Sequence, residues 1–330
     1  MSSHVGRGAG QPSGLYSAAA LELDVVSTDI ALDPYNPNLL AHRGTLYARR
    51  RQYQEALSDF NHAIELNPFD ADIYGSRGNI LHDMGRHQEA VADFSSAIAL
   101  DPGSATHYNN RANCYADLQR YEEALADFQP VFDLDPDYVE AYVNRGTVHR
   151  ELGQYQSALD DFRRAISLDS VYINAYHNRG LLYGQMTHYE MALEDLSTVI
   201  RLKPAFHADD FYSRGKTYAH LKKYVEALSD LNFAIELDSQ HARAYCDRGY
   251  VYNKLQLYDK ARHDLELAIT LEPAFALSYV NIAVSLRHSG RLQEALSYLR
   301  QAVLLGDPQY SPEAAQMLAQ IEKILKRERV

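Results

Sequence analysis

Along most of the chain the apolar positions return at helical spacing in short blocks, not in the strict alternation of a half-buried strand. Between Leu39 and Leu66 two such blocks are separated by a polar break near residues 50–53, and Pro68 follows two residues later. This predicts a helix, a tight turn, a second helix and a stop, because proline cannot continue a helix. The pattern then repeats. Arg-Gly recurs at Arg43-Gly44, Arg77-Gly78, Arg145-Gly146, Arg179-Gly180, Arg214-Gly215 and Arg248-Gly249, Arg111-Ala112 fills the gap, and Ala283 continues the small-residue series. Successive small residues lie 34, 34, 34, 34, 35, 34 and 34 positions apart. Twelve residues after each stands alanine: Ala56, Ala90, Ala124, Ala158, Ala192, Ala227, Ala261 and Ala295. Four further on come Phe60, Phe94, Phe128 and Phe162, then Leu196, Leu231, Leu265 and Leu299. Pro68, Pro102, Pro136, Pro204 and Pro273 close most units.

Small residues at the crossing points let two helices approach closely, and an aromatic ring one turn away fills the gap to the next hairpin. No hairpin buries its own apolar face, so stability comes from stacking neighbours. The units divide as 37–70, 71–104, 105–138, 139–172, 173–207, 208–241, 242–275 and 276–309. Residues 15–36 read as an unpaired N-terminal capping helix, with Val26, Ile30 and Leu32 facing the array and Pro34 as its stop. Residues 310–330 read as a C-terminal capping helix. Ser311-Pro312-Glu313 starts it, with serine as N-cap and proline at the first position. Its apolar stripe is Ala314, Met317, Leu318, Ile321, Ile324 and Leu325, and Lys326 and Arg327 suit its end. Residues 1–14, rich in glycine and serine, read as a disordered tail.

Period, small residue, second alanine and closing proline together resemble the tetratricopeptide repeat. The resemblance covers about four-fifths of the chain. It implies an all-α fold, an α-solenoid in which about eight helical hairpins form a right-handed superhelix. It also implies that the first helix of each hairpin lines a concave groove. It speaks strongly for architecture and weakly for function, because such proteins share a fold and differ in partner.

The chain departs from that family at one position. Where an aliphatic residue usually precedes the small one, seven units carry arginine: Arg43, Arg77, Arg111, Arg145, Arg179, Arg214 and Arg248. Sixteen residues later each of the seven has aspartate: Asp59, Asp93, Asp127, Asp161, Asp195, Asp230 and Asp264. The eighth unit has neither, with Ile282 and Tyr298 instead, and the N-terminal half-unit has Val25 at the aspartate position. Presence and absence go together within a unit, which predicts an ion pair between its two helices. An arginine stem that covers apolar surface while its head meets a carboxylate is the expected role, in preference to an anion-binding ladder.

The groove-facing positions implied by the resemblance carry asparagine. Asn110, Asn144 and Asn178 lie two residues before the small one in three successive units, and Asn281 does so in the last. Asn79, Asn109, Asn113 and Asn174 lie nearby. An amide side chain both donates and accepts, so a row of them can hold an extended peptide backbone without reading its sequence. The arrangement is similar to the asparagine ladder in the superhelix of the O-linked N-acetylglucosaminyltransferase, though Ser213 and Asp247 interrupt it here. The chaperone-tail clamp of the family needs basic residues where units three to five have Asn109, Asn174 and Asn178, so acidic chaperone C-termini are not expected partners. Charge also divides the groove. Arg49 and Arg150 face Asp72, Asp83, Asp117, Glu140 and Glu151 in the first four units. Lys216, Arg243, Lys254 and Arg287 outnumber Asp209 and Asp247 in the last four. The peptide-binding candidates are therefore Asn79, Asn110, Asn113, Asn144, Asn178, Lys216, Arg243 and Lys254.

Composition narrows the function classes. A net charge of −12 repels a phosphate backbone and speaks against nucleic acid. Cys114 and Cys246 are far apart, which fits neither a disulfide framework nor a zinc site. The 14 histidines share no ligand-like spacing, and no nucleophile, phosphate-loop or metalloprotease motif occurs. No enzymatic activity, cofactor or metal is expected. Ala18–Leu21 is too short for a signal core and no stretch reaches the ~20 apolar residues of a spanning helix. A cytoplasmic or cytosol-continuous compartment, such as a cilium, is the expectation. The function expected is an adaptor or scaffold that holds an extended segment of a partner protein in its groove. The alternatives are a spacer or assembly subunit of a large complex, cytoskeletal or ciliary for example, and the regulatory region of an enzyme whose catalytic part is absent.

Overall fold

The computed structural model describes the backbone of residues 14–327 apart from 204, and side chains from residue 21 onward. The expected tail up to residue 13 and the stop at Pro204 lie outside the described residues, while Gly14, expected in the tail, opens the first helix. Those residues form helices with no strand among them. The helices are α1 (Gly14–Leu32), α2 (Pro37–Arg49), α3 (Tyr53–Leu66), α4 (Ala71–Asp83), α5 (His87–Leu100) and α6 (Ala105–Asp117). Next come α7 (Tyr121–Leu134), α8 (Val139–Glu151), α9 (Tyr155–Leu168), α10 (Ile173–Gln185), α11 (Tyr189–Leu202) and α12 (Ala208–His220). The last six are α13 (Tyr224–Leu237), α14 (Ala242–Lys254), α15 (Tyr258–Leu271), α16 (Ala276–His288), α17 (Leu292–Leu304) and α18 (Ser311–Arg327). They gather into two compact units, one ending at Asp161 and the other beginning at Phe162, within α9.

In each unit consecutive helices pack as antiparallel hairpins, and the second helix of one hairpin packs on the first helix of the next. First helices of successive hairpins also touch, as α4 does α2 and α6, whereas successive second helices stay further apart. The first helices therefore lie on the inner side of each unit's curve. The crossing point is as tight as the repeat predicts. A Cβ on Gly249 would come 2.7 Å from Leu265 Cγ, and one on Gly78 would come 3.0 Å from the ring of Phe94. Phe60, Phe94, Phe128 and Phe162, and after them Leu196, Leu231, Leu265 and Leu299, are among the most deeply buried side chains.

The turn between the two helices of a hairpin has one design throughout. The residue after the C-cap takes a left-handed conformation, and two backbone bonds close the helix end. In the first hairpin Arg51 N–H donates to Ala48 O at 2.8 Å and Gln52 N–H to Tyr47 O at 3.0 Å. Glycine fills that position at Gly85, Gly153 and Gly290, but Arg51, Gln119, Thr187, Lys222 and Gln256 also occupy it, with φ between 59° and 62°. A β-branched residue is the most strained of these. Thr187→Gly should therefore raise stability by about 1 kcal/mol, measured as the shift in the urea midpoint at constant m-value. An unchanged or lower midpoint would show that the turn carries no such strain.

Both ends differ in detail from expectation. Val26 is buried and Ile30 packs on the first core, but Leu32, the last residue of α1, points to solvent. At the other end Ala314, Met317 and Ile321 seal the last hairpin with Leu318 and Leu325 beside them, whereas Ile324 falls on the open face. Ser311 is not the cap. Its hydroxyl donates to Ala302 O at 3.1 Å, and Asp307 Oδ1 accepts from Gln309 and Tyr310 N–H at 2.8 and 3.1 Å instead.

Candidate functional site

Each of the seven arginines lies on a first helix and reaches the aspartate of its own second helix with two parallel bonds. Arg43 Nε and Nη2 donate to Asp59 at 2.7 Å each, and Arg77 to Asp93 and Arg111 to Asp127 do the same at 2.7 Å. Arg145–Asp161 bonds measure 2.9 and 2.6 Å, Arg179–Asp195 2.8 Å each, Arg214–Asp230 2.7 and 2.9 Å, and Arg248–Asp264 2.6 and 2.8 Å. The carboxylates are buried and the guanidiniums mostly covered. The bond to its aspartate holds Arg43, Arg77, Arg111, Arg179 and Arg214 above the ordinary arginine range.

Two further contacts complete the bracket. Tyrosine or phenylalanine rings flank the guanidinium: Tyr108 and Tyr115 lie 5.7 and 5.9 Å from Arg111, and Tyr245 lies 5.4 Å from Arg248. A remaining N–H reaches back to the preceding hairpin, from Arg77 to Asn61 Oδ1 at 2.7 Å, Arg111 to Ser95 Oγ at 3.1 Å and Arg248 to Asn232 Oδ1 at 2.8 Å. Arg77, Arg111 and Arg248 thus each tie three helices together. Their guanidiniums spend most of their donors inside the fold.

The inner face of the N-terminal unit carries the asparagines. They bond to one another in sequence along α8, α6 and α4. Asn144 Nδ2 donates to Asn109 Oδ1 at 3.1 Å, Asn109 to Asn110 Oδ1 at 3.2 Å, and Asn110 to Asn79 Oδ1 at 2.9 Å. Asn109 is fully buried, so it is the keystone of the row and not a contact residue. Asn79 is exposed, and Asn110, Asn113 and Asn144 are half-buried. In the C-terminal unit Asn178 Nδ2 donates to Asn174 O at 2.9 Å. Asn281 does not belong with the exposed amides. It is buried where α16 packs on α14, and it donates to Cys246 Sγ at 3.6 Å.

The cationic candidates are exposed on α12 and α14. Arg243 Nε is 3.7 Å from Glu272 and its guanidinium lies over Phe275 at 5.6 Å, while Lys254 Nζ rests 5.0 Å from the Tyr250 ring. Lys216 faces Asp247. Burial pushes the Asp247 carboxyl above its ordinary range against the pull of Lys216 and a bond from the Tyr212 hydroxyl, and its Oδ2 has no hydrogen-bond partner. Asp247 is therefore part of the wall and not a free groove charge. Both cysteines are free and buried, and burial pushes each thiol up to about 12, which makes them inert.

The sequence reading assigned no metal ligands. Nevertheless, His82, His87 and Asp117 bring three potential ligand atoms within 4.8 Å of one another. Tyrosine occupies the position of His87 in six of the eight units, and that substitution is the signal in the sequence that marks the cluster.

Stacked two-helix units with a 34-residue period, inner first helices and capped ends define an α-solenoid of helical hairpins. The chain belongs to the tetratricopeptide-repeat family: models of that repeat match residues 43–105, 103–170, 173–206, 242–275 and 275–305. Proteins of this family are generally non-catalytic protein-interaction scaffolds. Comparison with curated proteins finds no match. Among solved structures, a tetratricopeptide-repeat protein from Parabacteroides merdae is similar at 20% identity and a TM-score of 0.59, over 76% of this chain and 98% of that one. The APC/C hetero-tetramer Cut9–Hcn1 matches at 18% identity and 0.64, over 91% of this chain and 58% of that chain. The type IV pilus biogenesis factor PilW matches at 20% and 0.57, over 61% and 92%. These identities speak to the fold alone. No helix among the described residues is long and apolar enough to cross a membrane.

Proposed function

We propose that the protein is an interaction scaffold whose N-terminal unit holds an extended segment of a partner protein along the asparagine row of its inner face. The observation that carries this reading is the bonded sequence Asn144, Asn109, Asn110, Asn79. Each bond uses one donor and one acceptor, so every solvent-facing amide keeps an N–H and an oxygen lone pair for a ligand. The mutual bonds also fix the rotamers, which reduces the ordering cost on binding. Peptide backbone presents the complementary groups at every residue. A net charge of −12 disfavours nucleic acid as the alternative ligand.

Affinity capture followed by titration of the captured segment tests this. Asn79, Asn110 and Asn144 changed together to alanine should weaken binding by about 10- to 100-fold, at about 0.5–1 kcal/mol per amide. The loss should be similar for segments of different sequence and nearly independent of salt, since the amides are neutral. If the triple variant binds its partners as tightly as the parent, the groove reading fails and the spacer or assembly role takes its place.

A further inference from the structure

We propose that His82, His87 and Asp117 form a site for a zinc-type divalent cation that joins the second hairpin to the third. His82 lies in the last turn of α4, His87 opens α5, and Asp117 ends α6 of the next hairpin. The intervening turn sets the two imidazoles. Gly85 N–H donates to His82 O and Arg86 N–H to Leu81 O, both at 2.8 Å, which reverses the chain over three residues and puts both rings on one side. His82 Nε2 shares a proton with Asp117 Oδ2 across 2.8 Å, and His87 Nδ1 points at the same oxygen from 3.6 Å. The two rings meet edge to face, with centroids 5.1 Å apart.

His87 Nδ1 is itself buried and has no hydrogen-bond partner. A buried imidazole nitrogen without a partner is costly, and a metal is one of the few groups that would satisfy it. Tetrahedral zinc with bonds of about 2.0–2.1 Å places its ligands about 3.3 Å apart. The 2.8 Å pair must open by about half an ångström and the 3.6 Å pair must close by less. The two imidazole nitrogens, within 4.8 Å of each other, must approach by up to about 1.5 Å through rotation of the rings. On binding, the cation takes the place of the proton that His82 Nε2 shares with Asp117, and the neutral imidazole then carries its one N–H on Nδ1. The carboxylate supplies one negative charge. Asp117 is half exposed, so the fourth position opens to water or to a donor atom from a partner.

The repeat provides its own control. At the equivalent contact between units five and six, Tyr189 stacks on His220 at 4.7 Å and 3°. Between units seven and eight, Tyr258 stacks on His288 at 5.3 Å and 2°. The junction thus normally takes a flat apolar ring, and only between units two and three do a carboxylate and two imidazoles meet there.

The test is titration of tag-free, metal-free full-length protein with Co²⁺. One equivalent should give the visible absorption of four-coordinate cobalt, Zn²⁺ should displace it, and zinc should raise the melting temperature. His87→Tyr restores the residue of most units and should abolish the band with the far-UV dichroism unchanged. Asp117→Asn keeps the shape and should weaken binding at least about tenfold, the lower bound of what even an outer-shell partner is worth. A parent protein that shows no band and no zinc-dependent rise in melting temperature overturns the proposal. So does a His87→Tyr variant that binds like the parent. Should that variant fail to fold, the Asp117→Asn titration decides: unchanged affinity refutes the site.

Discussion

Replacing Phe128 by alanine should destabilise the protein by about 3–5 kcal/mol, and the damage should stay local. The ring is fully buried against Ala112, Ala124, Val131, Ala141 and Val148. Three of those neighbours are alanines already at helix-crossing distance, so the site cannot collapse to fill the void and the cavity cost is near its maximum. In a stacked array each hairpin contacts only its neighbours. Amide exchange should therefore accelerate in α6, α7 and the helices packed on them, while the hairpins of the C-terminal unit keep their protection. Uniform acceleration along the chain would contradict that picture. Phe128→Leu introduces the side chain that the last four units use at this position and should cost less than about 1.5 kcal/mol.

Asp264→Ala should cost about 3 kcal/mol, because it leaves Arg248 covered and without its carboxylate. Arg248 and Asp264 are 17% and 3% exposed, the driest pair of the seven, so solvent screens them least. A double-mutant cycle with Arg248→Ala should return about 1–3 kcal/mol of coupling, and strict additivity would show that the pair does not interact. Exchanging the pair together is a different matter. At Asp195 burial outweighs the pull of Arg179 and lifts the carboxyl, a sign that the desolvation of such pairs is only partly recovered. The eighth unit dispenses with the pair and packs Ile282 and Tyr298 in its place. Arg248→Ile with Asp264→Tyr should consequently be neutral or stabilising in thermal unfolding.

Much of this was legible in the residues. The period, the small residue facing Phe or Leu, and the joint presence of arginine and aspartate follow from spacing alone, since each is a repeated one-to-one requirement of helix packing. The left-handed turn was not legible, because only Gly85, Gly153 and Gly290 advertise it and five other residues accept its strain. Pro130 shows the limit of proline as punctuation. It lies inside α7, which continues to Leu134 with Phe128 and Val131 fully buried on its packed face. The asparagine row was visible as a set of positions but not as a bonded series. That Asn109 is its buried keystone depends on the rotation between neighbouring first helices. The histidine cluster was hidden because its members come from different repeat positions in two units, so no single spacing joins them.

The placement of both members of each ion pair within one 34-residue segment bears on how such an array can grow. A whole segment that is duplicated or lost carries its arginine and its aspartate together, whatever the point of the chain. Had the carboxylate come from the adjacent segment, a copy placed beside a segment that lacks the pair, as the eighth does, would leave a covered charge unmatched. As it is, what crosses the seam carries no opposite charge: the bonds of Arg77, Arg111 and Arg248 to Asn61, Ser95 and Asn232, and the Phe132 ring against Arg145. The charge pair is thus a self-contained module, and the number of hairpins can change by recombination without a compensating mutation.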